Sequence, residues 1–235
     1  MAGEQGLVAI VTGAGSGVGE QVAIQLVERG YRVVLVGRTK EKLDRVGGDL
    51  DGEWLAVVGD VGVNDDRARI VDAAVERFGR VDALINNAGG GVFSKMGDMS
   101  IGQIEGMFAV NSIGPVDLAR RVVGGMSERG SGVVVNVSSI AQMDPFDGLG
   151  VYGCTKGAMG VLAIAVANEY GTMGVRGYSI CPGAIETGML RAFMPESELP
   201  SSQTLSPGEV ARVVVECVTG ETELENGAVM VLPSG

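Results

Sequence analysis

Seven short runs of mostly apolar residues punctuate the chain at intervals that leave room for a helix between most of them. They are LVAIVT (7–12), YRVVLV (31–36), WLAVVG (54–59), VDALIN (81–86), GVVVNV (132–137), VRGYSI (175–180) and GAVMVL (227–232). Their apolar residues are consecutive rather than alternating, as in strands covered on both faces. Such strands separated by helices predict an α/β fold: a doubly wound, mostly parallel sheet of about seven strands with helices on both faces. At 235 residues the chain can build one large core, and the stretches between apolar runs read as turns rather than linkers. Residues 1–235 are therefore expected to form a single domain, with a mobile flap at about 188–206 (GMLRAFMPESELPSSQTLS). No internal repeat or low-complexity tract argues otherwise.

Composition excludes several functions. A formal charge of -11, with no lysine or arginine cluster longer than a pair, predicts no nucleic-acid partner, because phosphate contacts need basic density. The chain has no histidine, which removes the commonest general base, the histidine-dependent serine triads and most zinc sites. No metal site is expected. Cys154, Cys181 and Cys217 are odd in number and lack CxxC spacing, which fits a reducing compartment and small buried residues. No basic region precedes the first apolar run, and no apolar run is expected to approach the ~18–20 residues of a membrane span. The expectation is a soluble, cytoplasmic protein without a membrane partner.

In an open parallel sheet, ligands sit beyond the carboxyl ends of the strands. After the first strand comes Thr12-Gly13-Ala14-Gly15-Ser16-Gly17-Val18-Gly19, leading into the helical pattern EQVAIQLVERG. Glycines there let the backbone turn and approach a pyrophosphate, and the following helix N-terminus supplies free N–H groups. This placement predicts a Rossmann-type dinucleotide site. After the second strand, Gly37 stands where an acid would bind the adenosine ribose of NAD, followed by Arg38 and Thr39. Arg38 can pair with a 2′-phosphate and Thr39 can donate to it, so the cofactor is predicted to be NADP(H). Lys40 and Lys42 read as helix surface.

A further pair opens the apolar stretch 151–170. Tyr152 and Lys156 are four apart and share a helix face. A free phenol has a pKa near 10, and a neighbouring cation would favour its phenolate.

Together these residues resemble the short-chain dehydrogenases/reductases over nearly the whole chain. The resemblance rests on the TGxxxGxG spacing, Asp60 after the third strand, Asn86-Asn87-Ala88-Gly89 after the fourth, and Asn111 in the next helix. It continues with Ser139, 13 residues before Tyr152, the Tyr152-x-x-x-Lys156 motif, and Pro182-Gly183-Ala184-Ile185-Glu186-Thr187. The resemblance implies that Tyr152 exchanges a proton with a carbonyl or alcohol oxygen as hydride moves to or from the nicotinamide. It implies that Ser139 hydrogen-bonds that oxygen. Lys156 would hold the nicotinamide ribose, and Asn111 would anchor a water leading to the lysine. Asp60 and Val61 would flank the adenine; Asn87, Ala88 and Gly89 would line the cofactor; and Pro182, Gly183, Ile185 and Thr187 would hold the nicotinamide.

The helix 151–170 is apolar around most of its circumference, more than one sheet-facing side consumes. Its small residues, Gly157, Ala158, Gly160, Ala163, Ala165 and Ala167, permit close approach, and the family packs this helix against another subunit. A homotetramer is expected, otherwise a homodimer; cover by an intrachain segment such as the flap is the alternative.

Candidate substrate contacts are Phe93, Gln142, Met143, Phe146, Leu149, Met189 and Phe193, with Val92, Leu190 and Met194 nearby. Their apolar character predicts a medium-sized, mostly apolar carbonyl compound or secondary alcohol. Reduction of a 3-oxoacyl thioester is an alternative, because PGAIET is similar to the string in 3-oxoacyl reductases, and a non-catalytic NADP(H) sensor is another. The chain departs from the family in ending GAVMVLPSG and in having a short flap.

Overall fold

The computed structural model describes residues 6–234. Strands β1 (Val8–Thr12), β2 (Arg32–Gly37), β3 (Trp54–Val58), β4 (Ala83–Asn86), β5 (Gly132–Val137), β6 (Val175–Pro182) and β7 (Val229–Leu232) form one sheet in the order β3-β2-β1-β4-β5-β6-β7. Every pairing is parallel. The expected strands all form, with ends shifted by up to two residues. β7, for example, begins only after Gly227, whose φ of 92° ends the preceding turn.

Helices α1 (Gly17–Glu28), α2 (Lys40–Gly48), α3 (Asn64–Phe78), α4 (Ile101–Phe108), α5 (Gly114–Glu128), α6 (Gly150–Tyr170), α7 (Gly188–Phe193) and α8 (Pro207–Thr219) complete the fold. Because successive strand residues point to opposite faces, each inner strand feeds two cores. On one face Val11, Leu35, Val135 and Ile180 meet Val22 and Leu26 of α1 and Val210 and Val214 of α8. On the other, Ile10, Val34, Leu84 and Val134 meet Ile70 of α3, Leu118 and Val122 of α5 and Val166 of α6. That two-sided demand is why the strands carry unbroken apolar runs.

Helix α6 corrects one expectation. With its terminal 3₁₀ turn it spans Gly150–Met173 and is long and apolar enough, by length and composition alone, to cross a membrane. In the fold it lies on the sheet, with Met159, Ala163 and Val166 buried. The small residues on it also divide. Gly160 and Ala163 are buried, and Ala167 stands against Gly227, so these serve contacts within the chain. Val161 and Ile164 are exposed, at 67% and 43%; the flap does not cover them.

Segment 188–206 carries α7 and a 3₁₀ turn at Ser201–Gln203. Its base is pinned by a parallel bridge between Ile185 and Leu205. Cys181 and Cys217 are buried as expected, whereas Cys154 is exposed on α6.

Candidate active site

The chain runs β1-β2-β3 outward on one side of the sheet and then returns to β4 on the other side of β1. That reversal opens a crevice at the carboxyl ends of β1 and β4. Thr12, the last residue of β1, braces it: its Oγ1 donates to the Ile85 carbonyl at 3.1 Å and accepts the N–H groups of Asn87 and Ala88, each at 3.0 Å. Asn87 returns the contact through Nδ2, which donates to the Thr12 carbonyl at 2.8 Å.

The glycine loop follows. Gly13 (φ 68°) and Gly17 (φ 60°) occupy the left-handed region, and a Cβ on Gly13 would stand 2.8 Å from Asn87 Nδ2 and 3.0 Å from Ala88 Cα. A larger residue at Gly13 would be strained and would also collide. Ser16 caps α1 without a side-chain bond, so the first N–H groups of α1 are left to the crevice. Arg45 holds the loop from outside, donating to the Gly15 carbonyl at 3.2 Å and to both carboxylate oxygens of Glu20.

A cavity of about 620 Å³ runs from this loop to α6. Gly13, Gly15, Ser16, Gly17 and Val18 line its middle. Arg38 and Thr39, with Asp60 and Val61, line one end, and Asn87, Ala88 and Gly89 lead to Tyr152 and Lys156 at the other. Ile185, Thr187 and Met189 close that end from the loop after β6. Asp60 Oδ1 accepts the Gly62 N–H at 2.8 Å, which orients the carboxylate. The Thr187 hydroxyl caps α7, accepting the Leu190 N–H at 3.3 Å.

Three expected cofactor residues do not line the cavity. Gly19 faces inward, where a Cβ would run into the Gly13 carbonyl oxygen; Gly183 packs on Ser234; and Pro182 is buried at the end of β6. They shape the wall from behind. Lys42, expected to be plain helix surface, lines the cavity beside Arg38, close enough to the glycine loop that a Cβ added at Gly15 would stand 3.0 Å from its own Cβ. Lys40 instead pairs with Asp44 on the surface.

At the α6 end, Lys156 is buried and its Nζ donates to the Val137 carbonyl at 2.9 Å, 5.9 Å from the Tyr152 ring centre. Burial pulls the lysine down to about 8. Burial pushes the Tyr152 phenol up to about 12, and the adjacent Ser139 hydroxyl draws it back only in part. The expectation of a lysine-depressed phenol is therefore not met: burial sets the direction of the shift.

Ser139 Oγ also accepts the Ala141 N–H at 3.2 Å. Ser138 lies deeper, its Oγ 3.0 Å from both the Lys156 carbonyl and Gln142 Oε1. Of the two serines, Ser138 lines the cavity and Ser139 is the one that hydrogen-bonds the phenol. Asn111 is fully buried in a five-residue π-helical turn, Ala109–Ile113, between α4 and α5. Both of its amide donors are engaged, with Gly90 and Thr155, so this side chain ties the crevice together.

The carbonyl groups of α6 are gripped in sequence. Thr155 Oγ1 donates to Tyr152, Ser112 Oγ to Thr155, and Asn136 Nδ2 to Met159, at 2.7, 2.8 and 3.0 Å. Thr155 bonds locally, three residues back, but no signal for the other two lies in residue spacing, because their partners are 43 and 23 residues apart.

Among the expected substrate contacts, Phe93 and Phe193 stack on each other and Met189 lines the cavity. Met143 and Phe146 are exposed, and Leu149 caps α6. Gln142 is a correction: its Nε2 donates to Cys181 Sγ at 3.0 Å, which turns it into the fold beneath the site. No cluster of metal-ligating residues occurs among the described residues.

A family model described as short chain dehydrogenase matches residues 7–198. The chain belongs to the short-chain dehydrogenase family. It is 33% identical over 227 residues to an uncharacterized oxidoreductase of Staphylococcus aureus (strain USA300), covering 96% of each chain. Among solved structures, a 3-ketoacyl-(acyl-carrier-protein) reductase from Brucella melitensis complexed with NADH matches with a TM-score of 0.92 at 30% identity, covering 98% of each chain. Levodione reductase matches with a TM-score of 0.91 at 28% identity, covering 98% of this chain and 97% of that one. The chain is thus an oxidoreductase of a family that binds nicotinamide cofactors.

Proposed function

We propose that this short-chain dehydrogenase is an NADP(H)-dependent carbonyl reductase or alcohol dehydrogenase acting on a medium-sized, mostly apolar substrate. The observation that carries the reading is the single cavity joining the glycine loop and Arg38 to Tyr152 and Lys156. A dinucleotide fits it on the chain's own terms: side-chain-free backbone at Gly13 and Gly17, unused N–H groups at the start of α1, and a groove continuous with the phenol.

Cofactor preference rests on residues 37–42. Arg38 and Lys42 face the cavity where an acid would oppose a 2′-phosphate, and Arg38 has no carboxylate partner among the described residues. Thr39 adds a hydroxyl donor. Asp60 and Val61 border the adenine end. Ile185 and Thr187 border the nicotinamide end, shaped from behind by Pro182 and Gly183. The Brucella reductase is complexed with NADH, so the preference argued here belongs to this chain's own side chains.

When bound, the cofactor supplies or accepts hydride at its nicotinamide. The residues do the rest. With its phenol held up at about 12, Tyr152 keeps its proton at neutral pH and can donate it to a carbonyl oxygen. Ser139 is placed to hydrogen-bond that same oxygen. Lys156 is cationic below pH about 8 and stabilises the phenolate left behind. Asn111 holds the floor on which these groups rest.

Oxidation of NADPH and NADH, followed by absorbance with aryl ketones, alkyl ketones and diketones and with Tyr152→Phe as the blank, tests the reading. NADPH turnover lost in Tyr152→Phe supports it; equal turnover in that variant overturns the acid role. A 3-oxoacyl thioester is the second reading, favoured by the likeness to the Brucella reductase, and adding such a thioester to the same assay tests it. A cytoplasmic setting goes with the unpaired cysteines. Exposed Val161 and Ile164 on α6, with Ile113 at the start of α5 and Val116 on it, support a homotetramer, otherwise a homodimer; light scattering on the purified chain tests this.

A further inference from the structure

Phe93, in the loop after β4, and Phe193, the last residue of α7, stack with ring centres 6.3 Å apart and planes 26° from parallel. Neither ring belongs to the two buried cores, and Phe93 is 49% exposed. Phe193 stands beside Tyr152. A Cβ on Gly91 would lie 3.2 Å from the Tyr152 ring and 3.6 Å from Phe193 Cζ, so loop, flap and phenol converge at one bare backbone position. Phe93 rests in turn on Gly148, where a Cβ would be 3.2 Å from the ring.

The charges around this wall are already matched. Arg191 of α7 is bonded to Glu186 and to the carbonyl oxygens of Met194 and Leu199. Lys95 stands 3.8 Å from Asp147. An anionic substrate would leave water here without gaining an unpaired cation.

We propose that Phe93 and Phe193 form a substrate-selecting aromatic wall. The preferred substrate class is a neutral ketone or diketone whose carbonyl is attached to, or part of, a planar ring. This deepens the carbonyl-reductase reading and rests on it. Ring-on-ring packing gives a preference that an equally apolar straight chain does not obtain, on the order of tenfold for one aromatic pair. A thioester carried on an acidic protein fits poorly beside this wall, because the chain's own net charge is -11.

The test is steady-state kcat/KM with NADPH for aryl ketones, straight-chain ketones of equal carbon number, and a carboxylate-bearing aryl ketone. It is run on wild type, Phe193→Leu and Phe93→Leu, with NADPH affinity measured by fluorescence. Leucine keeps apolar volume and removes the ring. The expected result is an aryl-to-alkyl ratio of about ten or more in wild type, a carboxylate penalty of similar size, and collapse of the ratio toward one in both variants. Equal use of both series, or a ratio unmoved by the variants, overturns the substrate class and leaves the reaction standing. Turnover of none of the ketones while NADPH binds overturns the reaction reading itself, and the substrate class with it.

Discussion

Asn111 holds Gly90 by both of its peptide groups: Oδ1 accepts the Gly90 N–H at 2.9 Å, and Nδ2 donates to the Gly90 carbonyl at 2.7 Å. Its remaining amide hydrogen reaches Thr155 Oγ1 at 2.9 Å, so one buried side chain joins the loop after β4 to α6. Asn111→Leu is expected to cost about 2–3 kcal/mol of stability, because the Thr155 and Gly90 groups lose their partner. Catalytic efficiency should fall at least tenfold. Calorimetry and kinetics together check this; wild-type values for both would mean that the loop is held by something else.

Lys156 carries a stability penalty for its position. Its folded value of about 8 lies below the ordinary 10.5, so the folded state gives up the proton first. The penalty is full below pH 8 and fades as pH rises toward 10.5. Lys156→Met should therefore raise stability at pH 7 by about 2–3 kcal/mol while removing activity. In wild type, ketone reduction should fall as pH passes about 8, and Lys156→Arg should move that fall upward.

For cofactor choice, Lys42→Ala and Arg38→Ala should each weaken NADPH binding by about tenfold, a loss of one charge–phosphate contact, with NADH affinity little changed. Arg38→Asp should reverse the preference. Fluorescence titrations at two ionic strengths give the measurement, and the NADPH affinity should show the steeper salt dependence.

Between α3 and α5, Asp117 accepts from Arg67 Nε at 2.7 Å, from Arg121 Nε at 2.9 Å and from Arg120. Burial would push this carboxyl up, but the three guanidinium groups outweigh it and hold it well below the usual carboxylate range. Its contribution is present above pH ~4 and is lost as pH falls toward the depressed folded value. Asp117→Asn strands the buried Arg67 and should cost about 2–4 kcal/mol at pH 7. Melting curves should show the gap to wild type narrowing below pH 4.

Glu186 and Arg191 fasten the flap to the loop after β6, with Thr204 Oγ1 donating to the same carboxylate at 3.2 Å. Glu186→Gln should loosen α7, raising KM for the carbonyl substrate several-fold and exposing residues 188–204 to protease. Cofactor affinity should hold. Unchanged proteolysis would show that the Ile185–Leu205 bridge fastens the flap without the ion pair.

The strands were legible because two buried faces demand unbroken apolar runs, and Gly13 and Gly17 because only glycine suits their backbone. Tyr152, Lys156 and Ser139 were legible as a pattern in fixed order. Lys42 was not: a lysine on a polar helix looks like any solvated side chain until Gly15 is folded against it. Gln142 misled for the opposite reason, since a polar residue near a site gives no sign that it bonds to Cys181 beneath. The upward shift of Tyr152 was hidden as well, because desolvation depends on everything packed around the ring and not on the lysine four residues away.

The π-helical turn at Ala109–Ile113 gives the long α4–α5 rod a break in angular phase. Such a turn takes in about one residue more than an α-turn, so the faces on either side are not continuous stripes. Leu118, Val122 and Met126 keep their bearing on the sheet, while α4 turns independently toward residues 90–92. Sequence change along α4 can therefore reshape the wall beside Gly90 without rotating the core behind it, and Asn111 sits at the joint where the two phases meet.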